Sequence, residues 1–220
     1  FVRSLGSRYE DDLLKDFDLH ILEEEGAQSK DNFVKAISFL NFIDKRLTNR
    51  FLEHVKIKDE WLSVSFVEIN ESNMNDIAYT LMLLSIVDKL LAGQAGFKAI
   101  RERTANSARM AHVLAKIELA PLSMGQVTEV SQLEKVMVLR NALEEFGQEE
   151  LAKKMEQRIM GKVNLLALAS SASVIGTLNA SEAKSARLQF EQVRLQLNRI
   201  NRVYGDEFIL AIGAQLSKRP

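Results

Sequence analysis

Between residues 180 and 204 the chain places Ala183, Ala186, Phe190, Val193, Leu197, Ile200 and Tyr204 at alternating steps of three and four. An α-helix turns once in about 3.6 residues, so this stepping draws one apolar stripe along a rod. Such a stripe must be covered, and the economical cover is another helix. Asn179, three residues before Glu182, has the spacing of a capping box and marks where the rod starts.

The rhythm recurs along the chain. Residues 148–166 carry Leu151, Met155, Ile159, Val163 and Leu166 on one helical face, and residues 33–51 carry Phe33, Ile37, Leu40, Ile43, Leu47 and Phe51. From Ile77 to Val87 the sequence is apolar on nearly all sides, which predicts a central helix with little solvent contact. Further helices are expected over 97–119, stopped before Pro121, over 129–146, where Ser131 and Glu134 repeat the capping-box spacing, and after Asp206. Pro121 and Pro220 are the only prolines, so helices can run long.

The stretch VNLLALASSASVIGTLNAS, residues 163–181, carries no charge in a chain that is 27% charged. Spanning a bilayer takes about 20 predominantly apolar residues. Here Asn164, Ser170, Ser171, Ser173, Thr177 and Asn179 interrupt a run whose apolar positions are largely alanine, so no direct membrane insertion is expected. The preferred reading is a buried helix end: two helices form an antiparallel hairpin turning near residues 176–179, and Ala167, Ala169, Ala172 and Ser173 let neighbouring backbones approach. Leu166, Ala169, Ala172, Phe190, Val193 and Leu197 are its expected packing or interaction residues. A ligand-lined cavity is the alternative.

One segment breaks the helical pattern. In HVKIKDEWLSVSFVEI, Val55 and Ile57 alternate with lysines, and Leu62, Val64 and Phe66 alternate with serines, which reads as a β-hairpin near residues 54–69. Asp59-Glu60 is not a favoured turn, and the alternation flips phase at Val67 and Ile69. The alternative is a helical template through Leu47, Phe51, Val55, Leu62, Phe66 and Ile69, which fails mainly at Lys58.

The expected fold is mainly α: an irregular bundle of seven or eight helices with that hairpin inserted. Residues 1–220 read as a single helical domain, with a subdivision available between an N-terminal helical pair plus hairpin (1–70) and a C-terminal bundle (71–220).

Composition narrows the chemistry. The 220 residues hold 29 basic and 30 acidic side chains and no cysteine, which removes thiolate metal sites, disulfides and cysteine nucleophiles. A formal charge of −1 lacks the bulk attraction of a dedicated nucleic-acid binder, and none is expected as partner. Of the three histidines, His20, His54 and His112, none is preceded at the third position by glutamate, and HExxH is absent. Asp12, Asp16, His20 and Glu24 recur every four residues, but Leu13, Phe17 and Ile21 supply the buried face, so these polar groups read as a solvated one. Neither a metal, a cofactor nor a catalytic residue is expected.

Gly93 and Gly96 precede Lys98, Arg101, Arg103 and Arg109. Ala99 and Glu102 stand where a KH module wants apolar core, and GK[ST] is missing, so this is a helix break followed by a basic helix. Lys98, Arg101 and Arg109 could still hold a small anionic ligand, since guanidinium matches carboxylate. Residues 1–30 hold eight acids and four bases, and residues 181–220 seven bases and four acids, a complementarity that fits neighbouring terminal helices or head-to-tail self-association.

The leading functional expectation is therefore a non-enzymatic helical protein-interaction or assembly module, with a protein partner or self-association. The alternative is a ligand-binding helical sensory domain that recognises a small anion, excised from the extracytoplasmic part of a bacterial receptor. The chain opens on Phe1 without a signal-peptide pattern, which fits a processed protein or an excised domain.

Overall fold

A computed structural model of the chain describes residues 14–173 and 180–216, except for the side chains of residues 173, 180–186, 215 and 216. It is 75% helical. In chain order the described helices are α1 (His20–Gly26), α2 (Lys30–Ile43), α3 (Lys45–His54), α4 (Met74–Ala92), α5 (Phe97–Leu119), α6 (Val130–Glu145), α7 (Glu149–Met160), α8 (Leu165–Ser173), α9 (Ala180–Ile200) and α10 (Tyr204–Leu216). That is ten rather than seven or eight. The described residues form two compact units, 14–65 with 79–115, and 66–78 with 116–173 and 180–216.

In the first unit, Ser29 caps α2 by accepting the Asn32 N–H at 3.2 Å. The apolar run from Phe33 to Phe51 does not make one helix. Asp44 takes an extended conformation, and its carboxylate accepts the Arg46 N–H at 2.8 Å, which ends α2 and starts α3. Both helices still deliver into one core, with Phe33, Leu40, Leu47 and Phe51 fully buried. Burying each such side chain contributes about 2 kcal/mol. The Phe33 ring lies 5.5 Å from the rings of both Phe51 and Trp61.

Trp61 also explains why the expected β-hairpin near residues 54–69 does not form. Val55 closes α3, and Asp59–Leu62 winds into a single 3-10 turn that buries Trp61 and Leu62. The alternation of apolar and polar residues is used by an extended loop rather than by a strand pair; there is no strand among the described residues. Val67, at the phase flip, is 90% exposed. Ile69, in the second unit, exchanges hydrogen bonds with the segment around Pro121: its N–H donates to the Pro121 carbonyl at 2.9 Å, and its carbonyl accepts the Ser123 N–H at 2.8 Å.

The second unit departs from expectation in the run 148–166. α7 ends at Met160 before Gly161. Val163 then forms an isolated parallel bridge with Val127: the Val127 N–H donates to Lys162 and the Asn164 N–H donates to Val127, at 2.8 and 3.0 Å. The Asn164 side chain accepts the Ala167 N–H at 3.1 Å and opens α8 as a new helix, so Leu166 does not share the apolar face of Leu151, Met155 and Ile159. α8 packs chiefly on α10, not on α9 as a hairpin partner. Residues 176–179 and the side chain of Glu182, where the expected turn and capping box fall, lie outside the described residues. At the start of α6 the capping pair is Glu129 with Gln132 rather than Ser131 with Glu134: the Gln132 carbonyl oxygen accepts the N–H groups of Thr128 and Glu129 at 2.9 and 3.2 Å. Gly147, at φ +68, supplies the left-handed residue that turns α6 into α7.

Candidate functional site

The first unit carries a groove of about 550 Å³ between α2, α3 and α4. Each helix contributes one face. Ile37 and Asn41 stand one turn apart on α2, and Ile86, Lys89 and Leu90 line the wall given by α4. From α3 come Lys45, Thr48, Asn49 and Leu52, spaced i, i+3, i+4, i+7, which is one stripe of a helix. The opposite stripe of α3, Leu47 and Phe51, is in the core, so the local amphipathicity that folds α3 also presents its polar side to the groove.

The lining is polar without being acidic. Among the described residues it holds two lysines, two amides and a hydroxyl over apolar side chains, and no Asp or Glu. Among the described residues neither Lys45 nor Lys89 makes an ion pair or hydrogen bond. Thr48 is 8% exposed, and its Oγ1 has no hydrogen-bond partner among the described residues. A buried hydroxyl without a partner costs on the order of 1–3 kcal/mol. Nearby cations are spent differently: Arg46 is held by Asp44, and the Arg50 guanidinium donates to the carbonyls of Leu14 and Phe17 at 2.6 and 3.4 Å.

The second unit carries a different feature. α8 and α10 pack together, and Leu168, Ala169 and Ala172 on α8 and Phe208, Ala211 and Ile212 on α10 are buried. Each also leaves large apolar side chains in water, Leu166 at 66% and Leu210 at 73% exposure. On α9, Leu188 and Leu195, seven residues apart, are exposed on one face, while Val193 and Leu197 turn inward.

Of the residues singled out from the sequence, Ala169, Ala172, Val193 and Leu197 are core, Phe190 is half-buried and Leu166 is exposed. Lys98, Arg101 and Arg109 all lie exposed along α5. Lys98 stands 3.8 Å from Glu102 and Arg109 3.9 Å from Asp59, and none of the three lines the groove. Sequence reasoning missed Asn41, Lys45, Thr48, Asn49 and Lys89. The signal was present in the polar stripe of α3, but it was masked by tracing Phe33 to Phe51 as one continuous helix face.

No family model, curated protein or solved structure matches the chain. No helix among the described residues is long and apolar enough to cross a membrane.

Proposed function

We propose that the protein is a non-enzymatic helical interaction or assembly module that self-associates or binds a protein partner through the apolar side chains left outside the α8–α10 pair. The observation that carries this reading is the exposure of Leu166 and Leu210 on two helices that pack on each other. Each of these leucines leaves apolar surface in water on a helix whose other side is buried, and a leucine buried at an interface is worth about 2 kcal/mol of transfer free energy. Val203 and Ile209, near Leu210 in the chain, are exposed as well, at 55% and 38%.

The reading is tested by sedimentation velocity on the whole chain and on the Leu166→Lys/Leu210→Lys variant. The native chain is expected to sediment faster as concentration rises, and the variant to remain at the monomer value with an unchanged circular dichroism spectrum. A native chain that is monomeric throughout and shows no partner-dependent protection of these leucines would overturn it.

A second reading, a ligand-binding helical domain, is favoured by the groove of the first unit. It would replace Lys98, Arg101 and Arg109 as the anion-recognising residues.

A further inference from the structure

We infer that the groove between α2, α3 and α4 is a binding site for a small amphiphilic carboxylate, with the head held by Lys45 and Lys89 and the aliphatic body laid on Ile37, Leu52, Ile86 and Leu90. This goes beyond association through the second unit and does not depend on it.

Size, charge and an unmet hydrogen bond point the same way. A volume of about 550 Å³ lies in the range of small-molecule sites, roughly 300–1,000 Å³. Two ammonium groups with no carboxylate among the described lining residues leave a positive charge there, which favours an anion. Lys45 also occupies the first turn of α3, where the helix end is itself positive. A lysine there is unfavourable in isolation, and an anion at that end relieves both charges. A carboxylate head accepts hydrogen bonds from ammonium and amide groups alike.

Thr48 supplies the independent observation. It is more than nine-tenths buried on the groove-lining stripe of α3, with an oxygen that no group among the described residues satisfies. Such groups are rare in folded proteins and commonly mark a place where water or a ligand completes the network. The apolar residues fix the rest of the ligand: a bare inorganic anion would leave Ile37, Leu52, Ile86 and Leu90 uncovered, and a neutral lipid would leave the lysines unanswered.

The test is isothermal titration calorimetry of the whole chain with octanoate, octanol and acetate. Octanoate is expected to bind saturably at one site, and octanol and acetate each at least about tenfold more weakly, because each lacks one half of the recognition. In the Lys45→Gln/Lys89→Gln variant octanoate affinity should fall by about tenfold or more, while octanol affinity should stay unchanged. Both lysines are exposed and have no partner among the described residues, so this variant should fold as the native chain does. Lys98→Gln, outside the groove, should bind octanoate normally. Equal binding of octanol or acetate, an unchanged octanoate affinity in the double variant, or no saturable octanoate binding would each overturn the inference. Because Leu166 and Leu210 belong to the other unit, loss of self-association in their lysine variant should leave octanoate binding intact, which separates failure of this inference from failure of the association reading.

Discussion

The side-chain amide of Asn106 on α5 donates to the main-chain carbonyl of Leu84 on α4 across 3.0 Å, from a residue 1% exposed. The bond ties the two helices one turn from the Arg103–Asp88 ion pair, and it leaves the Asn106 carbonyl oxygen buried without a partner among the described residues. Asn106→Leu keeps the branched shape and removes that unmet acceptor, while Leu84 keeps its place in the helical ladder. Its cost should stay within about 1 kcal/mol. Asn106→Asp buries a carboxylate facing a carbonyl and should cost more than about 2 kcal/mol. The aspartate pKa is then raised in the folded state, so stability returns as pH falls below the ordinary carboxylate value and is lost as pH rises. Urea denaturation of both variants at neutral and acidic pH checks this ordering.

Burial pushes the Tyr79 hydroxyl up to about 12 from its ordinary 10.0, and the nearby Asp31 carboxylate adds to the shift. A folded-state pKa above the unfolded one favours the protonated phenol. Its contribution is complete below about pH 10 and disappears as pH climbs toward about 12. Tyr79→Phe has nothing to ionise. Native protein should therefore lose stability relative to Tyr79→Phe between about pH 9 and about pH 12, read as diverging denaturation midpoints. Parallel midpoints across that window would contradict the assignment.

In the second unit Arg140 joins α6 to α7 through Glu156 at 2.6 Å, and it also binds Glu144 within α6. Burial works against the guanidinium's charge, yet its hydrogen bonds to Glu144 and Glu156 prevail and hold its pKa above the ordinary value. Arg140→Ala strands the Glu156 carboxylate, whose side chain is 14% exposed. The expected cost is about 3 kcal/mol. Arg140→Met/Glu156→Leu, which removes both charges, should recover much of that loss, and a double-mutant cycle in urea measures the difference.

Gly26 ends α1 directly beneath the Phe51 ring, where an added Cβ would lie 2.7 Å from the ring edge. Alanine is the better helix former by about 1 kcal/mol. Here the fully buried Phe51, set against Phe33, has little room to retreat, so Gly26→Ala should destabilise by about 1–3 kcal/mol. A higher melting temperature for Gly26→Ala would show that the ring yields.

The helical character was legible because it rests on a local period. Phe97–Leu119 could be read directly, with a helix break at Gly93 and Gly96 before it and Pro121 beyond. What local period could not show was where tertiary contacts interrupt it. Val163 fits the apolar face of Leu151, Met155 and Ile159, but its backbone pairs with Val127, thirty-six positions away, and Asn164 restarts the chain as a separate helix. The same reason defeats the hairpin: alternation from Val55 to Phe66 is real, yet Trp61 packs on Phe33 from a 3-10 turn, a tertiary contact that local alternation does not encode. The groove was hidden for a further reason. Lys45, Thr48 and Asn49 look like any solvated stripe until α4 brings Ile86 and Lys89 to the other side of the space they line.

Hydroxyl-radical footprinting of the whole chain at low and at high protein concentration reads side-chain exposure directly at the two leucines on which the association reading rests. Leu166 and Leu210 should label readily when dilute and become protected when concentrated, while Leu168, already buried, stays unlabelled in both. Undiminished labelling of Leu166 and Leu210 at high concentration, in a chain that also shows no protection there with any partner, would contradict an apolar docking face on the α8–α10 pair.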